Sequence, residues 1–241
     1  MRLVFCYFLC YNFFMDAEKY VDLIQNKCSD KFCEFSLLLQ ERNKSFNLTS
    51  ICDEKGIFYK HFLDSCLGES LFPQGAEVVE IGSGGGFPSL PVKILRPDLK
   101  FTLIESTGKK CGFLNEAVEK LGLSCVQVKN IRAEEGAHDK NLREKFDICC
   151  ARAVARLNTL CEYCLPFVKV GGAFIAYKGD ADEEIAEAEN AVKVLGGKIE
   201  NIIRYELPEG CGKRTLIVIR KIKPVPDKYP RGQGKERKNP L

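Results

Sequence analysis

Histidine is almost missing from this 241-residue chain, which has only His61 and His138, and a His-rich metal site is thereby excluded. Long apolar runs are missing too. The opening MRLVFCYFLCYNFF holds an apolar core of about a dozen residues at most, whereas a membrane-spanning helix needs about 20. No small-residue cleavage site follows it: Met15, Asp16, Ala17 and Glu18 come next, and MDAEKYVDLIQNKC begins an amphipathic pattern. Residues 1–14 therefore read as an over-extended start outside the fold, with Met15 as the native first residue and no membrane attachment. A Walker loop is absent, because no Gly-Lys-Ser/Thr occurs. So is the Asn/Asp-Pro-Pro-Tyr motif with which amino-methylating enzymes accept from an exocyclic amine.

Cysteine runs against this sparseness. There are 13, an odd number, scattered through apolar runs without a repeating framework. Buried free thiols in a reducing cytoplasm account for them. Cys161 and Cys164 make a C-x-x-C inside the helical run RLNTLCEYCLPFV, but no second pair stands at zinc-finger spacing, so no metal is expected. Charge is also uneven. The chain carries +3 in all, while Arg220 to Leu241 has eight Lys/Arg against Asp227 and Glu236, leaving −3 for the rest. A basic end on a mildly acidic body points to a polyanionic partner.

The chain divides into four parts. After residues 1–14, residues 15–75 form a helical region, with Phe32, Phe35, Leu38 and Leu39, then Phe58, Phe62, Leu63 and Cys66, at three- and four-residue steps. Residues 76–222 alternate strands with helices. Strands are expected at 77–81, 100–105, 125–130, 146–151 and 172–178, and helices at 107–121, 156–168 and 180–195. Two further strands, 198–206 and 214–221, are joined by Pro208-Glu209-Gly210-Cys211-Gly212, too short for a helix, and so form a hairpin. The fold class is α/β: a doubly wound, mostly parallel seven-stranded sheet with an N-terminal helical extension. Residues 223–241 read as an extended basic tail.

The stretch VVEIGSGGGFPSLP carries the chemistry. Glu80 precedes Gly82, Gly84 and Gly86, and Phe87 fills the sixth position, where a dinucleotide fingerprint needs a third glycine for helix–strand packing. Pro88 removes an N–H where a phosphate cradle would use one. A ligand without a pyrophosphate fits better, and S-adenosylmethionine is such a ligand: its ammonium and sulfonium centres favour a nearby carboxylate, and the glycines let backbone come close. Five parallel strands followed by a hairpin is likewise the class I S-adenosylmethionine-dependent methyltransferase form of this sheet. Glu105, ending the second strand, is placed for ribose hydroxyls, as an acid in an NAD enzyme would be. Arg152 lies just past the fourth strand, at the crevice. Cys149 and Cys150 lack the Pro or Thr neighbour of a cytosine-attacking cysteine and alternate across a buried strand. No general base is evident, which agrees with an acceptor that has its own lone pair, such as guanine N7. A non-catalytic RNA-binding assembly factor and an NAD(P)-dependent oxidoreductase remain the competing readings.

RNKSFNLTSI, KHFLDS, EIGSGGGFPSLP, LIESTGKK, CARAVARL and KPVPDKYPR, in this order, resemble the bacterial ribosomal RNA small-subunit methyltransferase G family, also called glucose-inhibited division protein B. The resemblance runs from about Cys33 to the C-terminus. It implies N7-methylation of one guanine of 16S rRNA, in the small ribosomal subunit or an assembly intermediate, with S-adenosylmethionine as donor; a cytoplasmic monomer is expected. It implies cofactor contacts at Gly82, Phe87, Glu105, Ser106, Thr107, Ala133, Glu134 and Arg152, beside Glu80, Gly84 and Gly86. Glu80 and Glu105 stand where many members have Asp. KHFLDS would then place His61, Asp64 and Ser65 on or near the rim, with His61 and Arg152 as catalytic candidates. Lys178 would face substrate phosphate, with Lys228, Arg231, Lys235, Arg237 and Lys238 adding contacts that give affinity without sequence information.

Overall fold

The structure is a computed structural model and describes residues 17–241, so the reading of residues 1–14 and of Met15 lies outside the described residues. One sheet organises the chain. Its strands are β1 (Glu77–Ile81), β2 (Lys100–Glu105), β3 (Val126–Asn130), β4 (Phe146–Arg152), β5 (Val168–Lys178), β6 (Gly197–Leu207) and β7 (Gly212–Lys221). They lie in the order β3-β2-β1-β4-β5-β7-β6. The first five are parallel, and β7 enters antiparallel between β5 and β6. The expected doubly wound, seven-stranded sheet is thus present. Residues Val78 to Ile81 are buried on both faces, as a central parallel strand requires, whereas the edge strand β6 alternates toward solvent.

Each face is covered. On one side lie α1 (Ser29–Asn43), a continuous helical run over 54–67, α2 (Ser89–Leu95) and α3 (Gly108–Lys120). On the other lie the short α4 (Ala133–Gly136), then α5 (Leu157–Cys164), α6 (Asp182–Glu187) and α7 (Glu189–Val194). The N-terminal helices are integral to the fold. α1 buries Phe32, Phe35, Leu38 and Leu39, each removing apolar surface worth about 1.5–3 kcal/mol. The Arg42 fork on Glu116, at 2.6 and 2.8 Å, pins α1 to α3.

Several boundaries differ from the sequence expectation, for local reasons. The helix expected over 156–168 ends at Cys164, because Pro166 breaks it and Val168 already pairs with Phe146 in the sheet. The helix expected over 180–195 divides at Ala188 into α6 and α7. Cys125 is outside β3, with φ 56°. α2 opens directly after the glycine loop, between Pro88 and Pro97, and Pro91 sits in its first turn, where no N–H is needed.

The largest difference is at the C-terminus. Residues 223–241 are not an extended arm. They fold back over the α5 side, burying Val225 and Tyr229, and end in the short helix α8 (Lys235–Lys238). Arg143 holds the segment by donating to the carbonyls of Val225, Pro226 and Tyr229 at 3.0–3.3 Å.

Candidate active site

Strand order reverses between β1 and its neighbours β2 and β4, so the crevice of this sheet opens beyond the carboxyl ends of β1 and β4. The glycine loop turns there. Gly82, Gly84 and Gly86 all have φ between 53° and 85°, which glycine adopts without penalty. At Gly82 the constraint is double, because a Cβ would also meet Val154 at 2.6 Å. The loop is held by the next strand: Glu105 Oε2 accepts from the Gly84 N–H at 3.0 Å and Oε1 from the Thr107 N–H at 2.8 Å. Each oxygen keeps a lone pair for a further donor.

Glu80 lies beneath this loop, fully buried, and neither carboxylate oxygen has a hydrogen-bond partner among the described residues. Burial pushes its carboxyl up to about 8; the hydroxyls of Ser83 and Ser89 and the charge of Arg152 oppose that rise.

Two cavities meet at Gly82. The smaller, about 280 Å³, is walled by Ser106, Ala133, Glu134, Tyr163 and, from the C-terminal segment, Gly234 and Arg237. The larger, about 450 Å³, is walled by the loop from Gly82 to Phe87, by Thr49 and Ser50, and by Lys60, His61, Asp64, Lys110, Arg152, Lys178 and Arg214. Five cations therefore surround one carboxylate. Lys60 and Lys110 have no ion-pair partner among the described residues.

Arg152 is fixed from four directions. Its Nη1 donates to the Lys60 carbonyl at 2.9 Å and to Asp64 Oδ2 at 3.2 Å, its Nη2 to His61 Nδ1 at 2.7 Å, and its guanidinium lies 4.9 Å from the Phe87 ring centre. Arginine only donates, so His61 Nδ1 is the acceptor and Nε2–H donates to Thr49 Oγ1 at 2.8 Å. Burial, reinforced by Arg152, pushes the imidazole down to about 3. His61 is thus a neutral ring with both nitrogens engaged, stacked 4.3 Å from Phe87. Asp64 also accepts from Tyr205 at 2.8 Å. The helix carrying these residues widens to π-type turns over Ile57–Leu63, a feature common where helices serve a site.

Comparison with known proteins gives this geometry a family. The family model described as rRNA small subunit methyltransferase G matches residues 28–211. The curated "Ribosomal RNA small subunit methyltransferase G" of Acetivibrio thermocellus is 48% identical over 216 residues, covering 88% of each chain. The chain belongs to the rRNA small subunit methyltransferase G family. The Lactobacillus johnsonii protein of the same name is 45% identical over 234 residues, covering 95% of this chain and 98% of that one. Solved structures agree on the fold: a SAM dependent methyltransferase from Aquifex aeolicus superposes with TM-score 0.52 at 16% identity, covering 69% of this chain and 93% of that one. Ribosomal protein L11 methylase from Lactobacillus delbrueckii gives 0.54 at 16% identity, covering 68% and 79%.

The structure of this rRNA methyltransferase G family member gathers most of the expected residues. Gly82, Gly84, Phe87, His61, Arg152 and Lys178 wall the larger cavity, and Ser106, Ala133 and Glu134 the smaller. Gly86 shapes the loop from inside, where a Cβ would meet Leu90 at 2.5 Å. Ser65 is not on the rim; it is buried and donates to the His61 carbonyl. Lys178 is committed to Glu184 at 2.7 Å and to the Ala155 carbonyl. The tail cations are not placed alike. Arg231 forms a two-pronged pair with the buried Glu162, Arg237 borders the smaller cavity while itself exposed, and Lys228, Lys235 and Lys238 are exposed. Sequence reasoning missed Lys60, Lys110, Tyr205 and Arg214. Only Lys60 and Lys110 carried a signal, lying inside KHFLDS and LIESTGKK.

Proposed function

We propose that this chain transfers a methyl group from S-adenosylmethionine to N7 of a guanine in 16S rRNA of the small subunit. The observation that carries the reading is the pair of cavities joined at Gly82. One suits an adenosyl group and the other a nucleobase beside a cationic rim. The cofactor fits the residues present: the unpartnered Glu80 carboxyl, buried beneath the loop and outside both cavity walls, favours a cationic amino-acid end above it, and Glu105 has lone pairs to spare for ribose hydroxyls. Ser106, Ala133 and Glu134 would surround the base. When bound, the cofactor supplies an electrophilic methyl group on a sulfonium.

The chain's own work is then positioning. Guanine N7 needs no proton removed, and no side chain of the larger cavity is a free base, since both nitrogens of His61 are engaged. Arg152, locked by Lys60, His61 and Asp64, is a fixed donor in the wall of the larger cavity and would orient the acceptor and the cofactor's carboxylate. His61 and Asp64 act through Arg152. Lys60, Lys110 and Arg214 supply positive potential for phosphates around the target base, which adds affinity and salt dependence. The intact glycine loop and the fixed Arg152 favour catalysis over a purely structural assembly role, and Phe87 in place of a third fingerprint glycine disfavours NAD(P).

Mass mapping of small-subunit rRNA from cells with and without the protein tests the proposal. Loss of one N7-methylguanine is expected. An unchanged map, together with no methyl transfer from labelled S-adenosylmethionine in vitro, would reject it.

A further inference from the structure

The C-terminal tail and the smaller cavity share residues, which neither the family motifs nor the charge pattern announced. Gly234 and Arg237 share the cavity wall with Ser106 and Ala133. Gly234 turns the chain there with φ 75°. Arg237 extends its guanidinium 6.0 Å from the centre of the Tyr163 ring, and Tyr163 lines the same cavity.

The turn is tethered on both sides. Before it, His138 Nε2 meets the Pro230 carbonyl at 3.0 Å, and the Arg231 N–H and guanidinium bind Glu162, which is 1% exposed in its side chain. After it, Thr159 Oγ1 donates to the Glu236 carbonyl at 3.0 Å, and the buried Glu236 carboxylate folds back to accept from the Gly232 N–H. An arm meant to track a phosphate backbone has no need of such anchoring, and it would not spend Arg231 on an internal carboxylate. A segment that must hold one side chain at a fixed place does need it.

We propose that residues 232–237 are a cofactor-binding element, in which Arg237 closes the base subsite and lays its guanidinium plane against the adenine of S-adenosylmethionine. The inference rests on the reading of the smaller cavity as the adenosyl site. The chemistry matches: adenine is neutral and flat, and a planar, weakly hydrated guanidinium stacks on such a ring where a lysine ammonium does not. The tail then joins cofactor binding to the far end of the chain, and its charge at Arg237 is used on the donor side and not on RNA.

The test is calorimetric titration of the full-length protein, wild type and Arg237→Ala, with S-adenosylhomocysteine and with 5′-methylthioadenosine, which has base and ribose but no amino-acid end. Arg237→Ala is expected to weaken both ligands by the same factor, about tenfold, while the ligand-free Tm stays within about 2 °C of wild type. Arg237→Lys keeps the charge without the plane and is expected to recover less than half of the loss on a logarithmic scale. Equal affinities in wild type and Arg237→Ala overturn the inference alone. So does a variant that loses small-subunit RNA binding and keeps cofactor affinity. A wild-type protein that binds neither ligand removes the adenosyl reading and this inference with it.

Discussion

Replacing Glu80 by glutamine separates two contributions that overlap at neutral pH. Burial holds the Glu80 carboxyl protonated to about 8, against an ordinary value of 4.5. Between those values the folded chain keeps a proton that the unfolded chain has released. Stability therefore falls as pH rises from about 4.5 and levels off above about 8. At full ionisation the gap corresponds to about 5 kcal/mol, an upper figure because surrounding groups relax. Glu80→Gln keeps the shape of the neutral acid and has no proton to lose. Its buried amide costs about 1–3 kcal/mol at every pH, so the informative quantity is the difference between two pH values. Urea unfolding of the ligand-free protein near pH 5 and near pH 8.5 supplies it: wild type should lose several kcal/mol across that interval relative to Glu80→Gln. A cationic ligand end beside Glu80 would also displace its proton, so cofactor titrations near pH 7 in buffers of different ionisation enthalpy should register proton release in wild type and none in the variant. Parallel stability curves for the two proteins would refute the reasoning.

Four further outcomes are expected. His61, pushed down to about 3 from 6.5, contributes stability that is present above 6.5 and lost as pH falls toward 3; His61→Gln should flatten that acid limb in urea titrations. Arg152→Lys keeps the charge but not the four-way lock, and methyl transfer in single-turnover assays should fall by about 100-fold, with a folded circular dichroism spectrum. Gly82→Ala forces a side chain into φ 70° against Val154 and should abolish binding of S-adenosylhomocysteine in calorimetry. Lys221 is fully buried and donates to Glu144 and to the carbonyls of Leu165 and Val168 at 2.8–2.9 Å, so Lys221→Met should cost about 3–5 kcal/mol by urea midpoint.

The sheet was legible because its signals are local. VVEI and FDICCA are apolar runs with the length of buried strands, and Pro208–Gly212 leaves no room for a crossover. The glycine loop was legible for the same reason, since backbone conformation restricts the residue type at each turn position. What escaped depends on pairings across the chain. Nothing near Arg231 announces Glu162, 69 residues earlier, to whose carboxylate it is committed. Nothing near His61 announces Arg152, 91 residues later, whose guanidinium engages one of its two ring nitrogens. Charge counted along a sequence gives the sign of a segment but not where its counterions stand. Pro166 shows the opposite lesson: a local helix breaker was present, and the apolar periodicity on both sides of it outweighed it in the sequence reading.

Asp64 receives Arg152 from 88 residues downstream and Tyr205 from 141 downstream. A ribosome adds about 5–20 residues per second, so the segment bearing Asp64 is made roughly 7 s or more before Tyr205, and its ion-pair partner Arg214 comes later still. Until Arg152 follows, 88 residues on, its carboxylate has only water to bind. The pocket wall nearest the beginning of the chain is thus among the last to set, and a nascent polypeptide stalled before the final hairpin has no completed methylation centre, however much of its sheet has already formed.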